Sequence, residues 1–219
     1  IWCFSCKLDM PDTNPFIVDT SWLSSRLEDP NLVILDGSWY LPPMNRSGID
    51  EFAERHIPGA IFFDIDTITE PGSDLPHTLA SPAVFAEKAG ALGISEQNTI
   101  VVYDGMGLFS APRVWWNFRV MGVENVHILD GGLPQWLKDG LPTEAVLRKR
   151  DTTAFVAKFD ADSVVSFNTM QELVDKSEQT VVDARPLGRF SGSEPEPRPG
   201  IRSGHMPGAV SVPFPDIAG

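Results

Sequence analysis

The chain alternates short, largely apolar runs with segments of helical spacing. Four runs lack the polar alternation of a half-buried strand, and we predict strands there, at 31–35, 60–63, 99–103 and 126–129. Helices are predicted between them, at 22–27, 47–55, 83–92, 111–121 and 133–138, with Ser21 as the N-cap of the first. Solid apolar strands separated by helices indicate an α/β fold, with a parallel sheet that helices cover on both faces.

A phrase that occurs twice indicates a second domain. Residues 55–60 read Arg-His-Ile-Pro-Gly-Ala, and residues 204–209 read Gly-His-Met-Pro-Gly-Ala. Each follows an apolar run that ends in Asp, so Asp36 precedes His56 by 20 residues and Asp183 precedes His205 by 22. A repeat with this long a period fits two domains of one fold better than a solenoid. We expect both histidines to fix their Pro-Gly turns by hydrogen bonding, and both aspartates to cap the strand ends.

The second copy has less chain after the repeated phrase than the first. We predict an N-terminal domain at residues 14–145, a linker at 146–162 and the first half of a second domain at 163–219. Within that half, a helix is predicted at 168–177 and strands at 180–183 and 209–212.

Charge and cysteine content limit the kinds of partner and cellular compartment that we expect for this chain. The net charge of −13 argues against nucleic acid, because phosphate binding needs clustered Lys and Arg. No apolar run approaches the ~18 residues of a membrane span, so no membrane partner is expected. Cys3 and Cys6 have the spacing of a redox pair, but no second pair completes a metal site. So few cysteines suggest a reducing compartment, the cytoplasm or, if a presequence was removed, the mitochondrial matrix.

The loop after the strand 99–103 is the best place for chemistry. Ligands of open parallel sheets bind beyond the carboxyl ends of strands, and a Gly-punctuated loop before a helix can cradle an anion with its N–H groups. The first position of this loop is Asp104, whose charge would repel an anionic substrate. We therefore expect Asp104 to cap the N–H groups of its own loop.

The repeated phrase and this loop, together with further motifs, resemble the two-domain rhodanese family. The first copy contributes Leu35-Asp36-Gly37-Ser38-Trp39-Tyr40, His56-Ile57-Pro58-Gly59-Ala60, Ser110-Ala111-Pro112-Arg113-Val114-Trp115-Trp116 and Leu129-Asp130-Gly131-Gly132. The second contributes Asp183-Ala184-Arg185, Gly188-Arg189-Phe190, Glu194-Pro195-Glu196-Pro197-Arg198 and Gly204-His205-Met206-Pro207-Gly208. The resemblance covers roughly residues 16–217. It implies a rhodanese-like parallel sheet with helices on both faces, in one complete domain plus the first half of a second.

The resemblance also implies roles for particular residues. The family's catalytic cysteine opens the cradle loop of the second domain, which would lie beyond Gly219, so this chain alone is expected to be inactive. Arg189 and Arg198 match two arginines that hold the substrate's carboxylate and keto oxygen in the 3-mercaptopyruvate sulfurtransferase branch. Asp66 and His77 match a relay that assists proton transfer as pyruvate leaves.

The reaction implied by the resemblance needs no cofactor. Sulfur passes from 3-mercaptopyruvate, a small anionic donor, through a cysteine persulfide to cyanide or to a thiol such as thioredoxin. Other assignments for the chain are a thiosulfate sulfurtransferase, a catalytically dead rhodanese-like interaction module, and a redox protein that uses Cys3 and Cys6.

Structural interpretations of the same side chains stay open. His77 could be an ordinary loop histidine, and Arg198 could be solvated. Arg189 could pair with Glu194 or Glu196. The four tryptophans near predicted elements are expected in the core rather than at a ligand: Trp39, Trp115, Trp116 and Trp136.

Overall fold

The computed structural model describes residues 14–177, 179–197 and 200–217, and the chain divides into one unit that ends at Ser163 and another that begins at Val164. Cys3, Cys6 and Arg198 lie outside the described residues. Within the described ranges, every helix is too short or too polar to cross a bilayer.

The first unit is built on a parallel sheet. Its described strands are β1 (Ile17–Val18), β2 (Leu32–Asp36), β3 (Ile61–Phe62), β4 (Thr99–Tyr103) and β5 (Val126–Leu129), in the order β1-β5-β4-β2-β3. Its α-helices are α1 (Thr20–Ser24), α2 (Gly48–Glu54), α3 (Pro82–Ala91), α4 (Ala111–Val120) and α5 (Gly132–Lys138), with 3-10 turns at Pro42–Met44 and Ala161–Ser163. The predicted α/β class with a parallel sheet is confirmed.

Helices cover both faces of this sheet because successive residues of a strand point to opposite sides. On one face, the core joins Val33, Leu35, Ile100 and Val102 to Phe85 of α3 and Phe118 of α4. On the other face, it joins Leu32, Ile34, Val101 and Tyr103 to Leu23 of α1, Phe52 of α2 and Trp136 of α5. The solid apolar runs of β2 and β4 are therefore the signature of burial on both sides.

The start of the first unit differs from the prediction. Helix α1 begins at Thr20, and its N-cap is Asp19 rather than Ser21. The Asp19 carboxylate accepts from the backbone N–H of Trp22 at 2.6 Å, and the Ser21 hydroxyl donates to the same oxygen at 2.7 Å. No sequence pattern predicts β1, because two residues carry no period; pairing of Ile17 with β5 sets it.

The segment predicted as a linker packs along the first unit. Residues 145–160 contain no helix or strand, yet the Phe155 ring is buried against Phe85 and Phe118. The Thr153 N–H donates to the carbonyl of Gly90 at 3.0 Å, and a Cβ on Gly90 would lie 2.4 Å from the Thr153 carbonyl oxygen. Glycine at position 90 thus permits the close approach of this segment.

The second unit repeats the local geometry of the first. It contains α6 (Phe167–Lys176), β6 (Val182–Asp183), α7 (Leu187–Ser191), β7 (Val210–Ser211) and α8 (Phe214–Ile217), and β6 pairs with β7 in parallel. Asp36 pairs with Phe62 in the first unit, and Asp183 pairs with Ser211 in the second. Each partner lies six residues after the histidine of the repeated phrase, so the two phrases hold the same strand register.

Candidate active site

Asp66 and His77 meet in the loop between β3 and α3. Nδ1 of His77 lies 3.4 Å from Oδ1 of Asp66. The His77 side chain is 17% exposed and that of Asp66 is 59% exposed, so a largely buried imidazole faces a carboxylate that reaches solvent. A carboxylate at this position orients an imidazole and selects its tautomer. The structure thus brings together these two predicted site residues.

Trp39 contacts both members of this pair, a role that the sequence analysis missed. Its indole N–H donates to Oδ2 of Asp66 at 3.2 Å, and its ring meets the His77 ring edge to face with centroids 4.8 Å apart. Trp39 is only partly buried against the core, whereas Trp136 is fully buried as expected. The sequence could have indicated this role, because Trp39 comes just after β2 and ligand sites lie at the carboxyl ends of parallel strands.

A polar cleft of about 290 Å³ lies beside Asp66, lined in part by Trp39, Tyr40 and Arg46. Arg46 lies over the Tyr40 ring, 3.9 Å from its centroid, and donates twice to Glu51 at 2.7 Å. The hydrogen bond from Arg46 holds the pKa of Glu51 below its usual value. The Arg46 guanidinium in this cleft is therefore already paired with the Glu51 carboxylate.

The loop after β4 is a cradle of N–H groups, and Asp104 fills it. Oδ1 of Asp104 accepts from Met106 and Gly107, both at 2.8 Å. Oδ2 accepts from the N–H groups of Phe109, Ser110 and Ala111 at 2.7, 2.9 and 2.9 Å. The predicted capping role of Asp104 is confirmed, and the first unit's cradle is occupied by its own side chain.

Asp36 and Asp183 end their strands as predicted. Oδ1 of Asp36 accepts from the N–H of Ser38 at 2.9 Å, and Oδ1 of Asp183 accepts from the N–H of Arg185 at 3.0 Å. Asp36 is only 2% exposed, and this burial raises its pKa to about 6. Asp183 pairs with the Arg185 guanidinium, whose hydrogen bonds lower the pKa of Asp183.

Arg189 belongs to an ion-pair cluster in the second unit. Its Nη2 and Nε donate to Oε2 of Glu196 at 2.5 and 3.1 Å, while Nη1 of Arg185 donates to Oε1 of the same carboxylate at 2.7 Å. Of the two acidic partners considered for Arg189, Glu196 is the one observed. The Glu196 side chain is 3% exposed, and its hydrogen bond from Arg189 is the main cause that lowers its pKa.

The histidines of the repeated phrase fix their turns as predicted. Nδ1 of His56 donates to the Phe52 carbonyl at 2.6 Å, and Nδ1 of His205 donates to the Phe190 carbonyl at 2.8 Å. Among the described residues, no three His, Cys, Asp or Glu side chains are grouped so that they could hold a metal ion.

Comparison with known proteins identifies similar chains. Residues 19–139 match the rhodanese-like domain family. The chain is 44% identical over 204 residues to 3-mercaptopyruvate sulfurtransferase of Rattus norvegicus. That alignment covers 90% of this chain and 69% of the Rattus norvegicus protein. The chain is also 42% identical over 204 residues to thiosulfate sulfurtransferase of Gallus gallus. That alignment covers 90% of this chain and 70% of the Gallus gallus protein. The crystal structure of the 3-mercaptopyruvate sulfotransferase SseA from Escherichia coli superposes with a TM-score of 0.83 at 36% identity, covering 91% of this chain and 75% of that one.

Proposed function

The chain belongs to the rhodanese family, a family with sulfurtransferase enzymes among its members, and we propose that it serves sulfur transfer from 3-mercaptopyruvate to a thiol or cyanide. The contact between Asp66 and His77 carries the proposal. An imidazole that a carboxylate orients is suited to accept or donate a proton during a reaction.

The proposed chemistry divides into two transfers. A cysteine thiolate attacks the sulfur of 3-mercaptopyruvate, an S–S bond forms, and the C–S bond breaks with its electron pair on carbon. The resulting enolate takes a proton and leaves as pyruvate; His77, oriented by Asp66, assists this proton transfer. The acceptor, cyanide or a thiol such as thioredoxin, then removes the outer sulfur and restores the thiolate.

Arg189 and Arg198 are the proposed substrate-binding residues. A guanidinium is a planar, permanently charged fork that suits a carboxylate beside a carbonyl. The bonds to Glu196 use Nε and Nη2 of Arg189, and we assign its remaining nitrogen, Nη1, to the substrate.

A thiosulfate sulfurtransferase is the second candidate, because identity to the Gallus gallus enzyme is nearly as high as to the Rattus norvegicus enzyme. His77 favours 3-mercaptopyruvate, since sulfite leaves thiosulfate without protonation of a carbon. The compartment, cytoplasm or mitochondrion, stays a prediction.

The test uses the complete product of the gene that encodes this chain. Pyruvate release from 3-mercaptopyruvate and sulfite release from thiosulfate are measured with cyanide as acceptor. We expect kcat/KM to favour 3-mercaptopyruvate, and His77→Gln to lower kcat for that donor by about 10²-fold with thiosulfate turnover unchanged. A preference for thiosulfate, or an unchanged kcat in His77→Gln, contradicts the proposal.

A further inference from the structure

His77 has a backbone conformation that its residue type does not favour. Its φ of 56° lies in the left-handed region, which non-glycine residues enter rarely and at a cost of about 1 kcal/mol. Such a conformation persists only where the surrounding structure holds it. The contact that holds His77 is therefore part of what places its ring.

Arg113 contacts the backbone at this point. It lies in the first turn of α4, and its Nη2 donates to the carbonyl oxygen of His77 at 2.6 Å. The guanidinium also lies over the ring of Trp116, 4.9 Å from its centroid. Helix α4 is anchored in the core by Val114 and Phe118, which are fully buried, so a rigid element presents the donor.

This arginine has no carboxylate partner among the described residues. Its Nε is buried without a hydrogen-bond partner, and burial lowers its pKa. A guanidinium in such surroundings costs free energy, because a buried polar atom that loses water regains nothing. The bond to His77 is thus not a secondary contact of an ordinary surface ion pair.

We propose that Arg113 is a positioning residue for His77, which holds the His77 carbonyl so that the imidazole faces Asp66. This inference rests on the role proposed above for His77. Without the donor from α4, the left-handed backbone relaxes and the ring loses its contact with Asp66. Trp39 acts on the same ring from the end of β2, so His77 is fixed from two separate elements.

The test is a titration of the histidine rings by NMR in the 219-residue chain, with the four signals assigned by His→Gln substitution. Asp66→Asn is expected to lower the midpoint of the His77 titration by about half a pH unit, because an imidazolium near a carboxylate holds its proton more tightly. Arg113→Met also removes a positive charge near His77, so the contact with Asp66 is measured as the effect of Asp66→Asn in the Arg113→Met background. Because the contact between His77 and Asp66 is already lost in Arg113→Met, adding Asp66→Asn to that variant should not change the His77 midpoint further.

Arg119→Met is the matched control. Arg119 lies on the same helix and also donates to backbone carbonyls, those of Val123 and Glu124, and its removal should leave the His77 titration unchanged. If Arg113→Met does not fold, Arg113→Gln, whose shorter side chain does not reach the carbonyl, takes its place with the same expectation. A full effect of Asp66→Asn on the His77 midpoint in the Arg113→Met background overturns the proposal.

The titration needs no turnover, so it is independent of the proposed function. If it behaves as stated while His77→Gln retains full kcat in the complete gene product, Arg113 positions a histidine that has no part in the reaction. If the titration fails while His77→Gln is impaired, the sulfur-transfer proposal stands and Arg113 has another role.

Discussion

The ring of His205 stacks on Phe190, with centroids 3.9 Å apart and planes 8° from parallel, and its Nδ1–H donates to the carbonyl of that same phenylalanine. His56 has the same double relationship to Phe52, at 4.1 Å and 17°. Phe52 lies four residues before its histidine and Phe190 lies fifteen before. The contact therefore recurs in both units although the sequence places its phenylalanine differently.

The two histidines are expected to differ in their contribution to stability. His56 is completely buried, so His56→Ala should reduce the free energy of unfolding by about 2–4 kcal/mol through a cavity and an unpaired carbonyl. His205 is exposed, so His205→Ala should cost much less. Urea unfolding of the chain measures both, with His127→Ala as control. Equal losses at His56 and His205 would contradict this assignment.

Asp104 is expected to be replaceable by a free anion. Asp104→Ala removes the carboxylate that accepts five backbone N–H groups and should destabilise the chain by several kcal/mol, because buried donors lose their acceptor. Millimolar sulfate should then raise the melting temperature of the variant more than that of the wild type, since an anion can enter the cradle.

The control for this prediction is chloride at matched ionic strength. It should not reproduce the effect of sulfate, because a monatomic ion does not present several oxygens to the donors. If sulfate raises the melting temperatures of Asp104→Ala and wild type equally, the N–H groups do not form an anion site.

The elements that the sequence predicts best are those whose own residues determine them. Strands β4 and β5 match their predicted ranges residue for residue, because each apolar run is bounded by polar residues. Asp104 could likewise be assigned from its place in the loop. Strand β1 could not, since it exists through its pairing with β5.

The Asp66–His77 contact shows where sequence reasoning ends. The two residues lie eleven positions apart in an irregular loop, and no period tells whether their side chains meet. Resemblance to a family gave both residues a role. Trp39 and Arg113 stand in motifs that match the family but received no role, because their contacts with His77 depend on the packing of β2 and α4 around that loop.

Asp36 is expected to make the chain less stable at neutral pH than at pH 4. Burial raises its pKa from the ordinary 3.8 to about 6, so between these values the folded state holds a proton that the unfolded state has released. Stability therefore falls as pH rises from about 4 to 6, by about 3 kcal/mol from this group. The loss is complete about one pH unit above the folded-state pKa.

Asp36→Asn tests whether stability falls, rather than rises, as the pH increases. The amide oxygen can still accept from the N–H of Ser38, but it carries no charge. The variant should be more stable than wild type at pH 7 and equal to it near pH 4, as measured by urea unfolding across this range. A difference that does not change with pH would mean that Asp36 does not titrate in this window.

Arg189 is expected to affect substrate binding more than turnover. Lysine at this position keeps the positive charge beside Glu196. Its single nitrogen replaces the three that let Arg189 bond Glu196 through Nε and Nη2 and offer Nη1 to the substrate. In the complete gene product, Arg189→Lys should raise KM for 3-mercaptopyruvate by about tenfold or more and leave kcat within a few-fold. Arg185→Lys is the matched control, because Arg185 bonds the same Glu196 and is assigned no contact with substrate. If both variants raise KM equally, the loss comes from the disturbed ion-pair cluster, and Arg189 is not the group that binds the carboxylate.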